Sequence, residues 1–83
     1  MFEMTVIDAI KINDRLASVA GPYINKKQFT NRLVDNEGNV YEAHIPPFTK
    51  TLEFNDSEII LGLYGNYDAQ ALIGKVLRAE PTN

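Results

Sequence analysis

The segment Gln28–Ile45, QFTNRLVDNEGNVYEAHI, constrains the fold most, because it reads as a single β-hairpin. Two runs rich in β-branched and aromatic residues flank Asp35-Asn36-Glu37-Gly38-Asn39, and a short turn ending in glycine fits between them. With Asn36-Glu37-Gly38 as the loop and Gly38 left-handed in a G1 bulge, Val34 pairs with Val40. Leu33 then faces Tyr41, Asn31 faces Ala43 and Phe29 faces Ile45. That register gathers Phe29, Leu33, Tyr41, Ala43 and Ile45 on one face and sets Arg32 opposite Glu42 on the other. One loop assignment thus sorts the apolar residues and opposes two unlike charges, the agreement between levels expected of a hairpin.

The rest of the chain reads as further short strands separated by turn signals. From Phe2 to Ile12 the residues Phe2, Met4, Val6, Ile10 and Ile12 share one parity, with Asp8 the only break, which predicts a strand with a bulge or an exposed middle at Asp8. A helix there would need Asn13 on its apolar stripe. Asn13-Asp14-Arg15 is a turn and Leu16 to Ala20 a short strand, with Gly21-Pro22 expected to interrupt the chain. Pro46-Pro47 closes the hairpin, since neither proline can sit inside a central strand. Thr49 to Phe54 reads as extended and Asn55-Asp56-Ser57 as a turn. Glu58 to Tyr64, EIILGLY, has the apolar density of a strand buried on both faces or nearly so. After a loop at Gly65-Asn66-Tyr67-Asp68, Ala71 to Ala79 is expected to be the last strand. Gly62 and Gly74 then fall inside strands, where glycine marks a bulge, a sharp coil or a close backbone approach.

Short strands at about ten-residue spacing argue for a sandwich or barrel. At 83 residues the fit is an all-β domain, a small five- or six-stranded barrel of OB or SH3-like kind with at most one short helix. Residues 1–80 form the single domain and 81–83 a frayed tail. The apolar fraction of 45% suits a folded domain. A core this small often leans on disulfides, metals or oligomers, and the lack of cysteine excludes the first. No apolar run approaches the ~20 residues of a membrane span, and no basic-then-apolar leader opens the chain. Cytoplasmic residence without a membrane is the expectation.

Candidate chemistry is thin. His44 is the one histidine, and the hairpin register places it opposite Thr30 on the face of Arg32 and Glu42, a surface position without a catalytic partner. Asp35, Glu37 and Glu42 lack calcium-loop spacing, because Gly38 follows Glu37 too early, and they read as solvated acids around a turn. No phosphate-binding glycine pattern and no nucleophile elbow occurs. No cofactor and no metal is implied, and the chain is expected not to be an enzyme.

Two functional expectations remain. Tyr23, Phe48, Tyr64 and Tyr67 lie beside turns or prolines, where amphipathic aromatics often anchor interfaces. They point to an interaction module that contacts a protein partner or itself. The alternative rests on Gly21 to Arg32, where Tyr23, Lys26, Lys27 and Arg32 occur with no acid among them. Cations beside aromatic platforms suit an OB-like binder of single-stranded nucleic acid. The net charge of −3 argues against bulk nucleic-acid binding, although Lys11 to Arg32 carries a local balance of +4.

Overall fold

The computed structural model describes residues 1–46 and 58–80. Within them the strands are β1 (Glu3–Thr5), β2 (Asp8–Asn13), β3 (Leu16–Ile24), β4 (Arg32–Val34), β5 (Val40–His44), β6 (Glu58–Tyr64) and β7 (Val76–Ala79). A 3-10 turn spans Lys26–Gln28, and one helical turn, α1 (Ala69–Leu72), precedes β7. Six antiparallel strands close into a barrel in the cyclic order β1-β7-β4-β5-β6-β3, with the β1–β3 pairing as the seam. β2 continues β1 along β3 but lies at the end of the sheet order. The small all-β barrel read from the sequence is therefore the fold.

The β4–β5 hairpin keeps the register its loop dictates: Arg32 opposite Glu42, Leu33 opposite Tyr41, Val34 opposite Val40. Gly38 is left-handed at φ 86°. Its N–H donates to the Asp35 carbonyl, and the Asp35 N–H donates to the Asn39 carbonyl, closing the loop. Leu33, Tyr41 and Ala43 are buried as the parity requires, and the Ala43 N–H reaches the Asn31 carbonyl. The outer rungs differ. β4 begins only at Arg32 because the 3-10 turn occupies the chain before it. Phe29 instead meets Phe2 edge-on at 5.2 Å, and Ile45 is 36% exposed. Arg32 pairs with Glu80 at 2.7 Å rather than with Glu42. Glu80 also donates its N–H to the Arg32 carbonyl, so the described chain ends tied to β4.

The N-terminal strand divides just before Asp8, the residue at which its parity breaks. Met4 pairs with Tyr23 and Asp8 with Ala20, which leaves one extra residue on the β1–β2 side. Such a bulge inverts the side on which later residues point. Phe2, Met4 and Val6 are in the core, whereas Ile7, Ile10 and Ile12 are exposed. The single apolar face expected from Phe2 to Ile12 is thus two faces, split just before Asp8.

Gly21-Pro22 does not end its strand either. A Cβ at Gly21 would overlap the Thr5 carbonyl oxygen, so the glycine allows β1 to pass close over β3. Pro22 is the last β3 residue paired with β6, opposite Glu58. From Tyr23 onward the partner is β1, so the proline's missing donor falls at a handover. The expected strand Ala71–Ala79 also shortens to β7. Asp68 caps α1 by accepting from the Gln70 N–H at 3.1 Å, and Ala-Gln-Ala-Leu favours a helical turn that buries Leu72. Gly74, at φ 94°, turns the chain out of it and donates its N–H to the Val6 carbonyl. The extended segment and turn expected between Thr49 and Ser57 lie outside the described residues, as do Pro47 and residues 81–83.

Candidate functional site

Two places combine chemistry with position. The first is the corner where the β4–β5 loop meets the start of β7. Asp35, 6% exposed, is the one buried charged residue among the described residues. Its Oδ1 accepts the N–H groups of Glu37 (2.8 Å) and Asn39 (3.0 Å). Its Oδ2 accepts the Tyr41 hydroxyl at 2.7 Å, the Asn39 amide at 3.0 Å and the Lys75 ammonium at 3.3 Å. Lys75 Nζ also reaches Glu37 at 3.3 Å, and Arg78 bridges Glu3 (2.8 Å) and Asn36 (2.6 Å). Burial alone would raise the Asp35 pKa, but the bonds from Tyr41, Asn39 and the backbone outweigh it and hold the carboxyl well below its usual range. Burial first, and the Asp35 carboxylate second, push the Tyr41 phenol above its ordinary value. The hydrogen bonds to Glu37 and Asp35 raise Lys75. Asp35 and Lys75 are therefore held in their charged forms, and the Tyr41 phenol in its neutral one.

The sequence reading took Asp35 for a solvated acid. It is the first residue of the turn, where aspartate commonly bonds the backbone ahead of it, and that signal was present in Asp-Asn-Glu-Gly. What the sequence did not show is Lys75, 40 residues away, lying over it.

The second place is the outer face of the sheet β2-β3-β6-β5. The registers run one row across four strands: Ile10, Ser18, Gly62 and His44. A neighbouring row holds Leu16, Tyr64 and Glu42. Directly opposed residues share a face, and Ala17, Val19, Leu61, Leu63 and Ala43 fill the opposite, inner one. Ile10 is 60% exposed, Ile12 54% and Tyr64 50%. His44 is half-buried rather than fully at the surface, with its ring stacked on Tyr64 at 4.7 Å and 24°. A Cβ at Gly62 would overlap that ring, so the glycine lets the imidazole lie flat on the sheet. His44 Nδ1 is buried there without a hydrogen-bond partner among the described residues.

The four expected anchors are not brought together. Tyr64 belongs to this outer face. Tyr67 lies at the barrel end against Gly65, 5.4 Å from Tyr41, and donates its hydroxyl to the Tyr64 carbonyl. Burial raises its pKa, with a smaller contribution from Glu42. Tyr23 pairs with Met4 at the other end of β3 and packs half-buried against the core. Phe48 lies outside the described residues. Of the basic set, Lys26 and Lys27 are exposed on the 3-10 turn and form no ion pair among the described residues, while Arg32 is held by Glu80. The exposed isoleucines of β2 were missed, because their parity matched that of core residues.

Comparison of the chain with family models, with curated proteins and with solved structures gives no match. Among the described residues no helix is long and apolar enough to cross a membrane.

Proposed function

We propose that this chain is a non-enzymatic protein-interaction module that binds through the outer face of β2 and the adjoining surface of β6. The observation that carries the reading is that Ile10 and Ile12 on β2 and Tyr64 on β6 are each at least half exposed, among several exposed apolar side chains of the domain. Exposed apolar groups gathered on one face mark contact surfaces more often than solvated ones.

The Asp35 corner supports the non-enzymatic part. Its carboxylate oxygens accept five hydrogen bonds from within the chain, which leaves little acceptor capacity for substrate chemistry. The recess beside it, about 160 Å³, is smaller than the several hundred Å³ of ordinary small-molecule sites. The nucleic-acid reading has less support. Arg32 is neutralised by Glu80, and the Tyr23 ring packs against the core rather than standing beside Lys26 and Lys27 as a platform.

The test uses the chain immobilised and exposed to an extract of its native cell, alongside Tyr64→Ala and Ile10→Lys. The reading expects a specific partner, or further copies of the chain, retained by the wild type. Either variant should weaken retention by about 1–3 kcal/mol if its residue is an anchor. Equal retention by all three proteins, or none by any, refutes it. A short oligonucleotide titrated at low salt, where electrostatic association is strongest, should show no binding.

A further inference from the structure

Resting on that reading, we infer that the partner is basic as well as apolar. It is a segment of a different protein, with an aliphatic side chain flanked by lysine or arginine, seated on the outer face of β2-β3-β6-β5. A shallow cleft lies on that face between Ile10 of β2 and Ile60 of β6, over the small side chains Ser18 and Ala20 of β3. Asp8 stands at its rim. The cleft holds about 90 Å³, the space of roughly three waters, which fits a single aliphatic side chain. Burial of such a side chain against Ile10 supplies the apolar part of the contact.

The charges around the cleft select the sign of the partner. Elsewhere on the described chain carboxylates are answered: Glu3 by Arg78, Asp14 by Lys11, Asp35 and Glu37 by Lys75, Glu80 by Arg32. Asp68 caps α1. Asp8, Glu42 and Glu58 form no ion pair among the described residues, and the registers put all three on this face. The cleft occupies the rows Asp8-Ala20-Ile60 and Ile10-Ser18-Gly62-His44. Glu58, opposite Pro22, flanks them on one side, and Glu42, opposite Tyr64, on the other. The outward positions of these four strands hold no lysine or arginine, and Arg32, across from Glu42 on β4, is taken by Glu80. Asp8 accepts only the N–H of its neighbour Ala9. A cleft rimmed by three unanswered carboxylates attracts cations and repels nucleic acid and anionic membranes. It also repels the same face of a second copy, because like charges brought together across an interface are costly.

The test selects random peptides displayed on phage against the immobilised chain. Enriched peptides should share an aliphatic residue with lysine or arginine on both sides and no acid beside it. One of them, synthesised, should bind the wild type more weakly as salt rises. Asp8→Asn combined with Glu42→Gln and Glu58→Gln should slow its association about 10-fold and flatten the salt dependence, as loss of rim charge does. Ile10→Ser should instead speed its dissociation about 10-fold, the loss of an apolar anchor. Circular dichroism checks that both variants keep the wild-type fold. If the triple variant does not, Asp8→Asn alone should slow association about 2-fold. Enriched peptides without basic residues, or binding that ignores both salt and the carboxylate substitutions, overturn the inference. The module reading survives that result if Ile10→Ser still releases the peptides. Wild-type assembly that grows with concentration in light scattering would make a second copy the occupant and overturn the inference too. A selection that yields no peptide sensitive to Ile10→Ser also overturns it. Retention of an extract protein lost on Tyr64→Ala would then keep the module reading, and no retention would end both.

Discussion

The Asp35 corner and the outer face of β2 are opposite solutions on one small barrel. At the corner, charged and polar groups are drawn inside and answered: a buried carboxylate accepts from a phenol, an amide, two backbone N–H groups and an ammonium. Along β2, apolar groups are left outside, with Ile10 and Ile12 more than half exposed. A buried ion is costly to strand, so the first arrangement is closed to further partners and serves stability. Exposed isoleucine costs the fold little and would gain by burial, which is why the contact surface is proposed there. Polarity is thus a poor guide to function here, and the state of satisfaction is a better one.

The largest break in that contrast should come from Asp35→Ala. It strands the Tyr41 hydroxyl and the loop N–H groups together, and removing one member of a buried pair typically costs about 3–5 kcal/mol. Urea unfolding should show the loss, and a change below about 1 kcal/mol would mean the corner is not the clamp described. Gly21→Val comes next, since its side chain would have to displace the β1 backbone at Thr5. Overpacking of this sort costs about 1–3 kcal/mol, and an unchanged thermal midpoint would contradict the close approach at the seam. Gly38→Val should cost about 1–2 kcal/mol from backbone strain alone, because no atom lies within 4 Å of the added Cβ. An unaltered midpoint there would refute the left-handed loop.

The pH dependence sharpens the same comparison. The folded-state pKa of Asp35 is depressed from its ordinary 3.8. Its contribution to stability is therefore full above the unfolded value, and is lost progressively as pH falls below about 4 toward the folded value. Denaturation midpoints measured from pH 6 downward should fall in that range, and Asp35→Asn should flatten the slope. A slope unaffected by the substitution would assign acid sensitivity to other groups. The smallest effect belongs to β2: Ile10→Lys should change monomer unfolding by under about 0.5 kcal/mol, as surface substitutions do. A loss of several kcal/mol would show that Ile10 is part of the core after all.

The hairpin was legible in eighteen residues because its information is local. A turn that needs Gly38 left-handed fixes the loop length, and loop length with alternate parity fixes Leu33 opposite Tyr41. The apolar density of Glu58–Tyr64 likewise declared a central strand whatever its neighbours. The candidate surface was not legible. Parity counted Ile10 and Ile12 with Phe2 and Met4, and one extra residue opposite β3 inverted their side. Similarly, Ala71–Ala79 read as a strand until a cap at Asp68 and the turn at Gly74 folded its first half into α1.

By itself, then, the sequence determined the class of fold and the register of one hairpin, since alternation and turn chemistry act between residues a few positions apart. The tertiary structure decided what lies beyond that reach. Whether Asp35 is buried depends on Lys75 crossing above it, and whether Gly21 is a turn or a passage depends on Thr5. Which isoleucines face water depends on where β1 yields to β2 against β3. Each is settled by strands distant in sequence, through burial and hydrogen bonds that a local pattern cannot encode.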